Sequence, residues 1–416
     1  MNLPALKKPK NLGELLDLAG NVLAWSVIIV FFVGLPFYFK DGYSQLASNK
    51  YLFFMGAAKY TAIVMGVFFL LRVCLWGFTL QEIKAYKNIM WMDIFVVAFA
   101  VVSLISHLFS PFKTNTFGTN QLNDWFYEGS LWGTKGWFMG LMTFLCFVML
   151  YFVLSRCLIY HVSVFIPIML ALVIICQWGV LNRYGIAPID MKYEYGDKNS
   201  VFMASIGNIN WFCGFTSVIV PLIWGLYLGA KKLWEKIVLM VAATVTFTMI
   251  MLNSSDSGYV ALAVSMGVLL GFAMTDAKLF RGFLEIAISL LTVCSVIPLT
   301  DHIGHRNITS GHAEPLLGLP SCVLLLIIIA VYVIVTLKKD KYPTEKMKIV
   351  RVVYAIAAGA VFVAFVLLIV INTLTGKALP IIGDSEVFFF NSEWASKRGE
   401  TWSLGVKTFF HLPFGH

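Results

Sequence analysis

Near the end of the chain, Ser396-Lys397-Arg398-Gly399-Glu400-Thr401-Trp402 gathers two cations, a carboxylate and an indole in one short stretch. A guanidinium presents a planar fork of N–H donors that fits phosphate oxygens two at a time, which an ammonium does not. The residues that follow, Trp402, Leu404, Val406, Phe409 and Phe410, recur at a loosely helical period, and Pro413 and Gly415 end the run. A basic cluster beside aromatic rings on an amphipathic helix next to a membrane suits an anionic lipid headgroup. The same composition also describes a solvated loop whose Lys and Arg merely rest at the lipid interface. The segment alone leaves both readings open.

What must position that segment is a membrane. An apolar run from Val352 to Ile371 precedes it. The 416 residues are 59% apolar and 13% charged, where soluble domains carry about a quarter charged. Mean hydropathy is +0.82. Apolar runs recur at lengths able to cross about 30 Å of hydrocarbon. Barrel-type alternation is absent from the sequence, and only helices or closed barrels satisfy their backbone inside lipid. The expected fold is therefore all-α: a polytopic membrane helix bundle of about eleven spans, with a large extracytoplasmic loop near the C-terminus. The net charge of +9 calls for no nucleic acid, because membrane proteins concentrate Lys and Arg in cytoplasmic joints. Cys74, Cys146, Cys157, Cys176, Cys213, Cys294 and Cys322 lie mostly in apolar runs without a CxxC pair, and read as small hydrophobes. No small-residue cleavage pattern follows the first span, which reads as a retained helix.

The spans are expected near 21–39, 52–71, 91–110, 136–154, 162–180, 209–229, 237–252, 259–274, 283–299, 318–337 and 350–371. This divides the chain into a cytoplasmic segment 1–20, a bundle 21–371 and an extracytoplasmic loop 372–416. Placing the N-terminus inside puts 18 of the 31 Lys and Arg in short inner joints, including the dense cluster from Lys338 to Arg351. The polar stretches then collect on the outer side. One is the turn Asn253-Ser254-Ser255-Asp256-Ser257-Gly258, and another bears His302, His305 and His312. Inside the spans only Lys59, Asp93 and Glu285 stand out, whereas a transporter would show charged or broken helices at the midplane.

Several of these stretches resemble one family. Gly207-Asn208-Ile209-Asn210-Trp211-Phe212-Cys213-Gly214-Phe215 resembles the Gly-Asn-Pro-Asn-Phe-x-Ala-Gly opening of the O-antigen ligases and polymerases. Ser255-Asp256-Ser257-Gly258 resembles that family's Ser-rich turn. Arg398-Gly399-x-x-Trp402 with Phe409-Phe410-His411-Leu412-Pro413-Phe414-Gly415 resembles its Arg-x-x-x-Trp helix and Pro-Leu-Phe-Gly exit. Phe126-Tyr127-Glu128-Gly129-Ser130 with Lys135-Gly136 is similar to its Gly-Ser-x-x-Arg-x-x-Gly lead-in. The likeness covers residues 120–416, with Ile209 in place of Pro, Lys135 near the usual Arg, and Gly258 where a cation often stands. The family's outer loop continues to a second helix with a functional His and a closing span. The sequence stops at His416 and is expected to lack both.

That resemblance implies an enzyme of the bacterial plasma membrane. Its donor is a glycan on undecaprenyl pyrophosphate, its acceptor a sugar or lipid hydroxyl, and it needs no cofactor and no metal. Arg398 would hold the pyrophosphate, with Lys135 and Arg183 as helpers and Glu400 as base. Trp402 would either pack the loop helix or stack on sugar. Asn208 and Asn210 would read sugar hydroxyls, although helix capping explains Asn208 equally well. Asp301, His302, His305 and His312 lie among Gly304, Gly311 and Pro315, where nothing fixes a tetrahedral ligand set. Nucleotide-binding glycine loops are absent from the sequence. The competing classes are a transporter or flippase of lipid-linked glycan and a non-catalytic membrane subunit.

Overall fold

The computed structural model describes residues 9–40, 42–76, 90–110, 129–133, 138–159, 161–189, 191, 202–253, 255–304, 317–338, 341–375 and 389–411. Helix makes up 83% of them. The order is α1 (Leu12–Ile28), α2 (Leu46–Trp76), α3 (Trp91–Phe109), α4 (Leu141–Cys157), α5 (Phe165–Arg183), α6 (Ile209–Gly229), α7 (Leu233–Asn253), α8 (Asp256–Ala273), α9 (Ala277–Gly304), α10 (Leu319–Leu337), α11 (Thr344–Thr375) and α12 (Trp394–His411). Among the described residues, ten helices are long and apolar enough to cross a membrane. The chain is a multi-pass, all-α membrane protein. With 17 residues, α4 falls just short of that length.

The structure starts α4 at Leu141 rather than at the expected 136. Backbone from residues 129–133 occupies the position that an earlier turn of helix would take. The Leu141 and Met142 N–H groups donate to the carbonyls of Ser130 and Leu131, which satisfies two of the orphan donors of a helix start. The approach is close enough that a Cβ on Gly140 would stand 2.4 Å from Gly133 N.

The chain divides into two compact units. The first comprises Met1–Lys10, Leu18–Ala57 and Leu158–Val352. Its core lies where α5, α6, α7, α8 and α9 meet, around the fully buried Trp224, Phe212, Ile223, Met249, Ile250 and Leu172. Lipid is as apolar as leucine, so close contact between small residues, rather than exclusion of water, holds such helices together. Gly179 shows this: a Cβ there would meet Met249 Sδ at 2.6 Å. At the other end of these helices, Glu285 accepts from Tyr227 Oη at 2.6 Å, Lys236 Nζ at 3.2 Å and Tyr332 Oη at 3.2 Å. The carboxylate on α9 thereby links α6, α7 and α10. After Ile28 the first span passes through a π-helical stretch, Ile29–Gly34, and closes with one turn, Leu35–Phe37. Lys50 Nζ caps that end, donating to the Leu35 and Pro36 carbonyls at 2.7 Å each.

The second unit comprises Asn11–Asp17, Ala58–Cys157 and Val353–His416. Its intramembrane acid is likewise paired. Asp93 accepts from Arg156 at 2.6 Å and from Tyr151 Oη at 2.8 Å, and also takes the Met90 N–H that begins α3. At the far end of α11, Thr373 Oγ1 accepts the Phe390 N–H at 3.0 Å, which ties the approach to α12 back onto the last turn of the span.

Candidate functional site

Four helix ends of the first unit meet at one place: the end of α5, the start of α6, the end of α7 and the start of α8. Local chemistry sets each. Helix α5 stops at Arg183 because Gly185 adopts φ +77°, and the Gly185 and Ile186 N–H groups fold back onto the Asn182 and Leu181 carbonyls. A two-residue hairpin pairs Phe202–Met203 with Gly207–Asn208 and leads into α6. Asn208 ends that hairpin and caps the helix, its Oδ1 accepting from Asn210 N at 2.8 Å. The cap that the sequence suggested is present.

Asn210, exposed on the first turn of α6, accepts the Ser255 hydroxyl at 2.9 Å. Ser255 stands at the N-cap of α8 yet makes no side-chain cap bond; its Oγ lies between Asn210 and Ser257 Oγ, the latter also at 2.9 Å. Behind this pair is Asn253, fully buried as the last residue of α7 rather than part of the expected turn. Its carbonyl accepts from Arg183 Nη2 at 3.1 Å, and its Nδ2 contacts Ile209 O at 3.4 Å and Cys213 Sγ at 3.3 Å. Among the described residues its Oδ1 has no hydrogen-bond partner, nor does the buried Ser205 Oγ in the hairpin turn. Such buried orphans cost free energy and concentrate where a polar ligand or water belongs.

Gly258 makes the close fit of α8 on α6 possible. A Cβ there would stand 2.8 Å from Cys213 Sγ and 3.1 Å from Ile250 Cγ2. A cation at that position, where one often stands in the resembled family, would have no room. The cluster as a whole offers one guanidinium, carboxamide oxygens and two hydroxyls, an array suited to an anionic or polyhydroxylated ligand. In the sequence Asn253 reads only as the first residue of a polar turn and Cys213 only as a small hydrophobe inside the Gly207–Phe215 motif, neither with a role of its own. The only signal was a polar residue closing an apolar run, and that also describes a turn.

The other expected residues lie in the second unit, on α12. Arg398 and Glu400 are exposed and stand about 200° apart around the helix, so they do not share a face. Trp402 is 56% exposed, its ring 5.4 Å from that of Trp394. Asn391 starts the helix, its Oδ1 accepting from Glu393 N at 3.0 Å and its carbonyl from Trp394 N at 3.2 Å. Gly399 is buried beneath that turn, where a Cβ would fall 1.8 Å from Asn391 O. The glycine after Arg398 is thus required by a close approach. Lys135, His305 and His312 lie outside the described residues. No known protein family, curated protein or solved structure matches this chain.

Proposed function

We propose that the protein transfers a glycan from a lipid pyrophosphate to an acceptor hydroxyl at the extracytoplasmic face of a bacterial plasma membrane, as the O-antigen ligases and polymerases do. The observation that carries this reading is the convergence of Arg183, Asn208-Ile209-Asn210 and Ser255-Asp256-Ser257. They are far apart in sequence, and two of the three stretches are motifs of the resemblance. The basic residues of the short joints support an N-terminus inside, which makes this end of α5–α8 and the whole of α12 extracytoplasmic.

In the reaction, the acceptor oxygen attacks the anomeric carbon, the bond from that carbon to the pyrophosphate breaks, and the lipid pyrophosphate leaves with the electron pair. The acceptor's proton passes to a general base. The leaving group is already activated, so the protein's task is to hold it and offset its growing charge with fixed donors. Arg398 on α12 is the residue assigned to the pyrophosphate; Arg183, in the first unit, and Lys135 are the further cations of the reading. Asn210 and Ser257, both exposed, meet sugar hydroxyls. Glu400 as base is separable from Arg398 by mutation, because the two occupy different sides of α12. Transfer of lipid-linked glycan in membranes carrying Asn210→Ala or Arg183→Gln tests the reading. Strong loss at normal protein abundance supports it, and wild-type transfer by both variants refutes it.

A transport reading draws on one observation, the carboxylate Glu285 held among Tyr227, Lys236 and Tyr332 within the spans. Under that reading Glu285→Gln abolishes function while Asn210→Ala does not. The glycan-transfer reading gives the reverse order.

A further inference from the structure

Wound as a helix, residues 394–411 place Trp394, Phe409, Trp402, Val406 and Phe410 within an arc of about 160°. Glu400, Lys407 and His411 occupy the other side, where Leu404 is the one large apolar residue. Arg398 stands inside the aromatic arc, four residues from each tryptophan. The apolar side is not covered: Trp402, Val406 and Phe409 are more than half exposed, and Phe410 is 79% exposed. A contiguous exposed apolar surface of this kind marks a contact with lipid or protein. The helix is too polar to cross a bilayer and is absent from the membrane-crossing set.

Two further observations choose the occupant. The Phe390 N–H is held by Thr373 Oγ1 on the last turn of the membrane-crossing α11, so α12 begins where that span leaves the hydrocarbon. The helix also carries three basic residues, Lys397, Arg398 and Lys407, against one acid, Glu400, a balance that favours anionic headgroups. Tryptophan and arginine together are what a membrane interface selects, a ring at headgroup depth and a fork for phosphate.

We infer that α12 is an interfacial helix, lying in the headgroup layer of the leaflet at which α11 ends, with its aromatic side toward the acyl chains and Arg398 among anionic phospholipid phosphates. This goes beyond glycan transfer and needs no reaction to occur. The glycine at position 399 fits the arrangement, since it lets the Asn391 turn fold tightly against the helix and keeps α12 close to the end of the span.

The test uses the full chain without its native cysteines, in nanodiscs of phosphatidylcholine with phosphatidylglycerol. Spin labels are placed singly at Glu400, Val406, Lys407 and Phe410. Oxygen, which partitions into lipid, should relax the labels at 406 and 410 preferentially, and a water-soluble nickel chelate those at 400 and 407. Preference for nickel at all four positions would place the helix in water and overturn the inference. Exclusion of both reagents from 406 and 410 would mean that protein covers the face, and would overturn it equally. Arg398→Gln should lower the enrichment of phosphatidylglycerol next to α12 by about fivefold, the effect of one basic residue at an anionic surface. Unchanged enrichment would remove Arg398 from the phosphate layer. These readouts do not depend on transfer, so failure of one reading leaves the other standing or falling on its own assay.

Discussion

The Ser255 hydroxyl, placed where it would ordinarily cap α8, is instead turned sideways to the Asn210 side chain on α6, 2.9 Å away. A serine cap at a helix start is worth about 1 kcal/mol, and at Ser255 the hydroxyl bonds Asn210 and Ser257 instead. Here the same contact joins two stretches 45 residues apart and sets the exposed Asn210 in place. Ser255→Ala and Asn210→Ala should each destabilise the detergent-solubilised protein by about 1 kcal/mol. The double variant should cost less than the sum of the two, read by thermal unfolding. Strict additivity would mean that the bond contributes nothing.

Gly258→Ala forces a methyl toward Cys213 Sγ, 2.8 Å away, and should cost about 1–3 kcal/mol by overpacking. Cys213→Ala removes the obstructing sulfur and should restore much of the loss when the two changes are combined. The unfolding midpoints of the three variants check this. A Gly258→Ala protein as stable as wild type would contradict the close approach of α8 and α6.

Tyr342 lies in the joint between α10 and α11 and donates its hydroxyl to the Met274 carbonyl. Burial, with the Asp276 carboxylate adding to it, raises its pKa above the usual value near 10. A raised value means that the folded state favours the neutral phenol. This contribution is fully present below pH of about 10 and is lost as pH climbs through the folded-state value. Wild type should therefore lose stability more steeply than Tyr342→Phe on the alkaline side. Parallel stability curves would show that the hydroxyl is not held in this way.

The charge asymmetry makes a topological prediction. With native cysteines removed, Lys407→Cys on α12 should react in intact cells with an impermeant maleimide, while Lys346→Cys at the start of α11 should react only after lysis. The opposite pattern would invert the protein in the membrane and remove the extracytoplasmic site.

The bundle was legible in the sequence because lipid imposes a length on every apolar run, and among the described residues the order of the ten helices long enough to cross, with the shorter α4 between the third and fourth of them, follows that constraint. Helix α12 was legible from its period, and the terminal Pro413 and Gly415 marked its limit. Non-local contacts were not. The late start of α4 goes with the return of residues 129–133, whose Ser130 and Leu131 carbonyls accept its first N–H groups, and no spacing announces it. Asn253 looked like the first residue of a turn, because the carbonyl it offers to Arg183 and the amide it offers to Ile209 belong to partners 70 and 44 residues away. Glu285 looked like a lone charge near a span end, since its tyrosine and lysine partners sit on three other helices. The separation of Arg398 from Glu400 around α12 was readable in principle from two-residue spacing on a helix.

The most direct test of the account is glycan transfer itself, measured in membranes from cells expressing the natural gene product, with an undecaprenyl-pyrophosphate-linked donor and its acceptor supplied. Replacing one preorganised guanidinium typically lowers such a rate by about 100- to 1000-fold. Arg398→Lys keeps the charge but loses the fork, so it should be strongly impaired at unchanged abundance, with Arg398→Ala lower still. Under the proposed mechanism, in which side chains meet the charge on the leaving pyrophosphate, wild-type transfer should persist in excess chelator. Absence of any transfer by the wild type, or full transfer by Arg398→Ala, would contradict the assignment of this protein to lipid-linked glycan transfer through Arg398.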